Sequence, residues 1–313
     1  MSNLLNVSNS PHVRDKRTTS SIMADVLIAL LPASLFGIYN FGARAAVILL
    51  ISTLSAVFFE GLYQKLMGQK VTITDCSAAV TGLLLGMNLS HTVPMWMPVL
   101  GSAFAIIIVK QLFGGLGQNF MNPALAARCF LMISFAGQMT SFTYDGVTGA
   151  TPLSYVKSGD LSGISVKEMF LGNIAGTIGE TCVWALLLGA AYLVIRGVIQ
   201  LRIPVTYIVT VVIMVTLFGG HGVDLTYIAA HVCGGGLILG AFFMATDYVS
   251  SPITVKGQYV YAVLLGILTA VFRLFGGTAE GVSYSIIICN LLVPLIEKVT
   301  MPTPFGMGGK KYE

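Results

Sequence analysis

Residues 139–173 read MTSFTYDGVTGATPLSYVKSGDLSGISVKEMFLGN, the longest hydrophilic stretch between the apolar runs of this chain. A membrane-spanning helix needs about 20 mostly apolar residues. Ten runs approach that length, near 22–39, 45–60, 73–89, 95–112, 122–138, 174–196, 203–219, 225–244, 258–275 and 282–297, five on each side of the quoted stretch. Polar or small residues interrupt the third and the fifth. Of the 313 residues, 55% are hydrophobic and 10% charged, with a mean hydropathy of +0.84. A soluble domain is roughly 25% charged, so the fold class expected is an all-α polytopic membrane protein.

The basic residues orient it. With the N-terminus inside, the cytoplasmic segments carry twelve Lys and Arg and the outer ones four (Arg44, Lys157, Lys167 and Arg273), while Arg128 lies within a helix. Cytoplasmic loops are the ones enriched in Lys and Arg, so both termini are expected in the cytoplasm and the 139–173 loop outside. The division is a cytoplasmic segment 1–21, a first five-helix repeat 22–138, an extracytoplasmic loop 139–173, a second five-helix repeat 174–297 and a cytoplasmic tail 298–313. TGLLLG at 81–86 resembles GGLILG at 235–240, and QLFGGLG at 111–117 resembles RLFGGTA at 273–279. An odd number of spans per half requires the halves to face opposite ways, the inverted-repeat arrangement of many transporters.

Composition also excludes some classes. The net charge is only +4 and the basic residues are scattered, so no stripe for nucleic acid is formed. The polar start MSNLLNVSNSPHVRDKRTTSS lacks the apolar core of a cleaved signal peptide. Cys76, Cys129, Cys182, Cys233 and Cys289 are dispersed; buried free thiols are the simpler expectation, a thiolate lent to a shared cluster the other. No metal site is expected. His221 and His231 lack partners at ligand spacing, and buried hydrogen bonding is the better account of them. No Walker loop or dinucleotide fingerprint occurs, so no NAD site is expected.

Within the loop, Asp145, Gly146, Thr148, Gly149, Ala150 and Thr151 form DGVTGAT. Gly146 and Gly149 permit backbone geometries closed to other residues, and Ala150 adds little bulk beside the Thr151 hydroxyl. Turn formation alone accounts for such residues; presentation of a hydroxyl for attachment is the alternative. Asn122 before Pro123 reads as a helix start, which sets Asn119 and Asn122 at a helix N-terminus suited to an anion or a flavin carbonyl. The NPA triplet occurs once, whereas an aquaporin uses two. Arg128 either snorkels or binds a phosphate or carboxylate. Arg273, on the same side as Thr151, snorkels at the interface or faces a cofactor. Asp25, Asp75 and Glu180 are intramembrane acids, candidates for an ion path by default, with interhelical pairing as the plain alternative.

DGVTGATPLS (145–154) resembles the flavinylation motif of the RnfD/NqrB family, membrane subunits of the Rnf ferredoxin:NAD oxidoreductase and of the sodium-translocating NADH:quinone reductase. Further blocks resembling that family run along the chain: SPHVRDKRTTSSIMADVLIALLPA (10–33), DCSAAVTGLLLGMNL (75–89), FGGLGQNFMNPALAARCFL (113–131), FFMATDYVSSPIT (242–254), GVSYSIIICNLLVPLIE (281–297) and PTPFG (302–306). The length is nearer to the Rnf member than to NqrB of the quinone reductase, which carries a longer N-terminal extension. The resemblance implies FMN joined by a phosphoester to Thr151, a flavin transferase that recognises Asp145 and the core after it, and other Rnf subunits as partners. It further implies ferredoxin:NAD electron transfer coupled to Na+ or H+ translocation across the cytoplasmic membrane of a bacterium or archaeon. Quinone-reductase relatives hold a second, non-covalent flavin, which is the reason to consider one near MATDYVSSPIT (244–254). An inverted-repeat channel or secondary transporter without a redox role explains the same architecture but gives no reason for DGVTGAT.

Overall fold

The computed structural model describes residues 17–144, 147–149, 151–158, 165–277 and 281–302. The chain opens with two long helices, α1 (Thr19–Phe41) and α2 (Ala43–Leu66), which turn on Gly42 at φ +75°. Thr18 caps α1 reciprocally with Ser21, satisfying two orphan donors at once. There follow α3 (Ser77–Met87), α4 (Trp96–Ala103) with its π-helical continuation Phe104–Gln111, and α5 (Pro123–Ser134). The intervening loop holds α6 (Ala136–Met139), an antiparallel pair of β1 (Thr143–Tyr144) and β2 (Val147–Thr148), α7 (Pro152–Ser158) and α8 (Val166–Leu171). The second set is α9 (Val183–Ile195), α10 (Arg202–Phe218), α11 (Leu225–Cys233), α12 (Leu237–Leu239) with a π-helical continuation Gly240–Met244, α13 (Val255–Phe275) and α14 (Val282–Thr300).

Among the described residues, α1, α2, α13 and α14 are long and apolar enough to cross a membrane. The bent pair Leu225–Cys233 and Leu237–Met244, 58° apart, is a fifth if taken as one span. Leu31, Leu35, Leu50, Leu54 and Phe58 are exposed on α1 and α2, as helices facing lipid require. This is a multi-pass helical membrane protein. Every expected run contains a helix, but several helices are shorter than the runs: the third has a 3-10 turn Ile73–Asp75 and then α-helix over Ser77–Met87, the fifth is divided into Pro123–Ser134 and Ala136–Met139, and the sixth is α-helical over Val183–Ile195. Local chemistry ends them. Cys76 takes a left-handed φ of 62° before α3, and Gly235 (φ +62°) and Gly236 (φ +66°) break the eighth run. Conversely, α2 continues past Glu60, where the apolar run stops, to Leu66.

Small residues bring the helices together. A Cβ on Gly82 would lie 2.6 Å from the Ser52 carbonyl oxygen and 2.7 Å from Thr53 Cα, and one on Gly189 would strike the carbonyl of Ala29. Packing of this kind replaces the hydrophobic drive that lipid removes. Contacts between connections sort the molecule into two ends. One holds Ser20 on the Thr74 carbonyl, Arg17 on Gly197 at 3.3 Å and Tyr248 on Val198. The other holds Asn40 on Gly172 at 2.9 Å, Arg44 on Thr92 and Val93, and Lys157 on Gly276.

Lys110, one of the twelve basic residues assigned to the cytoplasmic side, is buried. It is 2% exposed at the end of the π segment, with Nζ donating to Glu60 Oε1 (2.7 Å) and Ser77 Oγ (2.6 Å). Gln111 Nε2 donates to the same carboxylate at 2.7 Å, and Ser77 Oγ donates to Asp75 at 2.7 Å. Removing one member of a buried pair strands the other charge, at a cost of about 3–5 kcal/mol. Lys110→Met is therefore expected to lower the thermal midpoint of the detergent-solubilised chain steeply, and Glu60→Met/Lys110→Met much less. Equal losses in the two variants would contradict the pairing.

Candidate functional site

Thr151 stands immediately before α7, half-buried. Its carbonyl accepts from the Ser154 amide at 2.8 Å, and its Oγ1 lies 3.1 Å from Ser154 Oγ. The residue opens into a pocket lined by Pro152 and Leu153 of α7, Ile174–Gly176, Glu180 and Thr181 before α9, and Gly234 and Gly235 at the break after α11. The pocket encloses about 320 Å3 of empty space with its mouth included. Thr181 is 1% exposed, and its hydroxyl has no hydrogen-bond partner among the described residues. A buried polar atom without a partner costs free energy, so the pocket favours a ligand that brings hydrogen-bonding atoms, as a ribityl phosphate does. Asp145, Gly146 and Ala150 lie outside the described residues, and Thr148 is described only as part of β2.

Two arginines border this pocket. Arg273 of α13 does not snorkel: it is 2% exposed, and its guanidinium donates to the carbonyls of His231, Gly234 (2.9 Å) and Gly235 (3.1 Å). An arginine from a neighbouring helix thus caps the C-terminus of α11, whose last carbonyls would otherwise lack partners. Arg128 of α5 does not snorkel either. Its Nη1 lies 2.8 Å from Glu180 Oε1 and donates to Asn88 Oδ1 (2.9 Å) and Ser283 Oγ (2.8 Å). Glu180 packs against Gly236, where a Cβ would collide with its carboxylate. Thr151, Arg273, Arg128 and Glu180 are therefore one neighbourhood drawn from both halves of the chain.

Asn119 and Asn122 are elsewhere. Asn122 caps α5 as expected, accepting from the amides of Ala124 (3.0 Å) and Leu125 (3.3 Å), whereas Asn119 Nδ2 donates to the Met121 carbonyl at 3.0 Å. Both line a second, larger cavity at the opposite end, of about 790 Å3, with Lys110, Ser77, Phe242, Phe243 and Asp247. Of the two, this cavity is the roomier and the Thr151 pocket the tighter. Asp247 accepts from Ser250 Oγ at 2.9 Å, and burial pushes its carboxyl above the usual range against the hydrogen bonds of Ser250, Val249 and Asn119.

The three intramembrane acids are not brought together. Asp25 pairs with Tyr192 Oη (2.8 Å) and Arg196 (3.3 Å), and Asp75 caps α3 through the Ser77 amide at 2.8 Å. Only Glu180 reaches the Thr151 pocket. His231 departs from expectation too: it is buried without a hydrogen bond at either ring nitrogen and packs edge-on against Tyr227, which in turn contacts His221. All five cysteines are free, and among the described residues no three His, Cys, Asp or Glu gather as metal ligands. Sequence reasoning misses the Glu60–Lys110 pair and the pocket-forming break; the signals are two charges inside apolar runs and the GGG triplet at 234–236.

Gly235 tests the site's construction. A Cβ there would meet Leu153 Cδ2 at 2.5 Å and Arg273 Nη2 at 2.9 Å, at φ +62°. Gly235→Ala is expected to destabilise the chain by more than about 1 kcal/mol, read as a lower thermal midpoint. Gly137→Ala, whose Cβ would meet nothing within 4 Å, leaves it unchanged.

Sequence comparison with known proteins covers nearly the whole chain. The model of the NQR2, RnfD, RnfE family matches residues 6–306. The D component of the Na(+)-translocating ferredoxin:NAD(+) oxidoreductase complex of Acetobacterium woodii is 48% identical, over 99% of this chain and 98% of that one. The D component of the proton-translocating ferredoxin:NAD(+) oxidoreductase complex of Clostridium ljungdahlii is 43% identical over 97% of each. Its counterpart in the ion-translocating oxidoreductase complex of Aeromonas hydrophila is 35% identical over 97% of this chain and 99% of its own. With a matched model and near full-length relatives, the chain belongs to the NQR2, RnfD, RnfE family.

Proposed function

We propose that this chain is the flavinylated membrane subunit of an Rnf-type complex in a bacterial or archaeal cytoplasmic membrane. It carries electrons through FMN bound covalently to Thr151 and couples ferredoxin:NAD electron transfer to Na+ or H+ translocation. The observation that carries the proposal is Thr151 itself: the last residue of TGAT holds its hydroxyl over a pocket with an unsatisfied buried Thr181 hydroxyl. The relatives' names support the assignment to a complex, and they divide between sodium and proton as the ion.

In this reading Thr151 Oγ1 is esterified to the flavin phosphate by a flavin transferase that recognises Asp145, Gly146, Thr148, Gly149 and Ala150. The bound flavin supplies one- and two-electron transfer. Arg273 and Arg128 provide fixed positive charge beside the pocket, which favours added electrons. The tether keeps the cofactor at one distance from the redox centres of the other subunits. Ten spans in two inverted halves, both termini cytoplasmic, complete the proposal. It is supported by the packing of α2 on α4 and α10 on α13, and by breaks at the third and eighth runs. The larger cavity is the place for a second, non-covalent flavin.

Denaturing gels read the bond directly. Co-expressed with a flavin transferase, the wild-type chain is expected to show in-gel flavin fluorescence, and Thr151→Val none. Fluorescence retained in Thr151→Val would refute attachment there. The larger cavity makes a separate prediction: denaturation releases a further flavin into the filtrate, and Val80→Trp, which fills the cavity wall, abolishes that release without dimming the gel band.

A further inference from the structure

The Arg128–Glu180 pair is more than the electron-carrying reading requires. The two side chains are 3% and 6% exposed. Ion pairs at that depth gain little net stability against hydrophobic packing, and charges within a membrane protein's interior mark function by default. Arg128 Nη1 faces three acceptors, Glu180 Oε1 at 2.8 Å, Asn88 Oδ1 at 2.9 Å and Ser283 Oγ at 2.8 Å. A guanidinium nitrogen of this kind has two N–H bonds. Asn88, the C-cap of α3, and Ser283, in the first turn of α14, can occupy both. Nη1 can therefore keep both of these bonds when Glu180 is withdrawn.

Glu180 is also the only acid lining the Thr151 pocket among the described residues. Among the described residues, the charged groups facing it are Arg128 from α5 and, across the Gly234 and Gly235 carbonyls, Arg273 from α13. Gly236 packs against its carboxylate, and the Thr181 and Thr151 hydroxyls that line the same pocket do not titrate near neutrality.

We infer that Glu180 takes up a proton when negative charge arrives in the Thr151 pocket, so that the site's net charge is conserved; this rests on FMN being attached at Thr151. One electron comes from a one-electron carrier of a partner subunit and reduces the flavin. One proton from water at the pocket mouth bonds to a Glu180 carboxylate oxygen. The ion pair with Arg128 ends, and Arg128 remains on Asn88 and Ser283. When the electron passes to the next carrier, the O–H bond breaks, the proton returns to water and the pair re-forms. Because the pair links α5 to the segment before α9, each cycle alters a contact between the two halves.

The full chain, purified with its covalent flavin, is titrated spectroelectrochemically across the neutral pH range, with infrared difference spectra of the reduced and oxidised states. Wild type is expected to show a flavin midpoint potential that falls with pH and a protonated-carboxyl band that appears on reduction. Glu180→Gln flattens the pH dependence and removes the band, whereas Glu180→Asp keeps both. Should Glu180→Gln fail to fold, Arg128→Gln/Glu180→Gln removes both buried charges and is expected to show the same flat profile. A Glu180→Gln protein with the wild-type slope and band overturns the inference, as does a wild-type midpoint that follows Na+ concentration and not pH. A wild-type chain without in-gel fluorescence overturns the attachment itself, before Glu180 is altered.

Discussion

The Arg273 guanidinium holds the carbonyls of His231, Gly234 and Gly235, and the pocket under Thr151 depends on it. Within a bilayer a broken helix has no water to satisfy its ends, so irregular backbone persists only where protein supplies the partners. Arg273 supplies them for α11. The three glycines that follow let Leu153, Arg273 and Glu180 approach closer than any side chain would allow. A residue of the loop between the two helix sets, a helix cap and a buried acid thus meet at one point.

The polar interior of the molecule is divided between its two ends. At the Thr151 end, Arg128 pairs with Glu180 and donates to Asn88 and Ser283, and Arg273 donates to backbone carbonyls. At the other, Glu60, Lys110, Gln111, Ser77 and Asp75 form a continuous chain of hydrogen bonds beside the larger cavity. Each cluster ties helices that are distant in sequence, and each borders a cavity. A stabilising purpose alone would be served as well by apolar packing. Charge kept at such depth suits a protein in which added charge must be compensated locally, because a low dielectric leaves electrostatic interactions little screened.

Hydropathy finds apolar runs that each contain a helix, because apolar length is a direct consequence of bilayer thickness. It misjudges the helix ends, because a helix stops where local geometry forbids it, at Cys76 or Gly235, without any loss of apolar character. The cap at Asn122 is legible, since it depends on neighbours in sequence. Arg128 is legible as a charge needing a carboxylate, but not which one: Glu180 lies far along the chain. Lys110 is misread because a basic residue at the edge of an apolar run looks the same whether it meets water or Glu60. His231, expected to hydrogen-bond, is instead held by aromatic contact with Tyr227. Asn119 and Asn122, expected to suit an anion or a flavin carbonyl, line the cavity opposite the Thr151 pocket, a separation that only the folded topology defines.

The central claim is one covalent bond. Mass spectrometry of the proteolytic peptide spanning Thr151, from protein co-expressed with a flavin transferase, tests it most directly. The account predicts a peptide heavier by one FMN less one water, with fragmentation placing the addition on Thr151. An unmodified peptide, or the addition on any other residue, would contradict it.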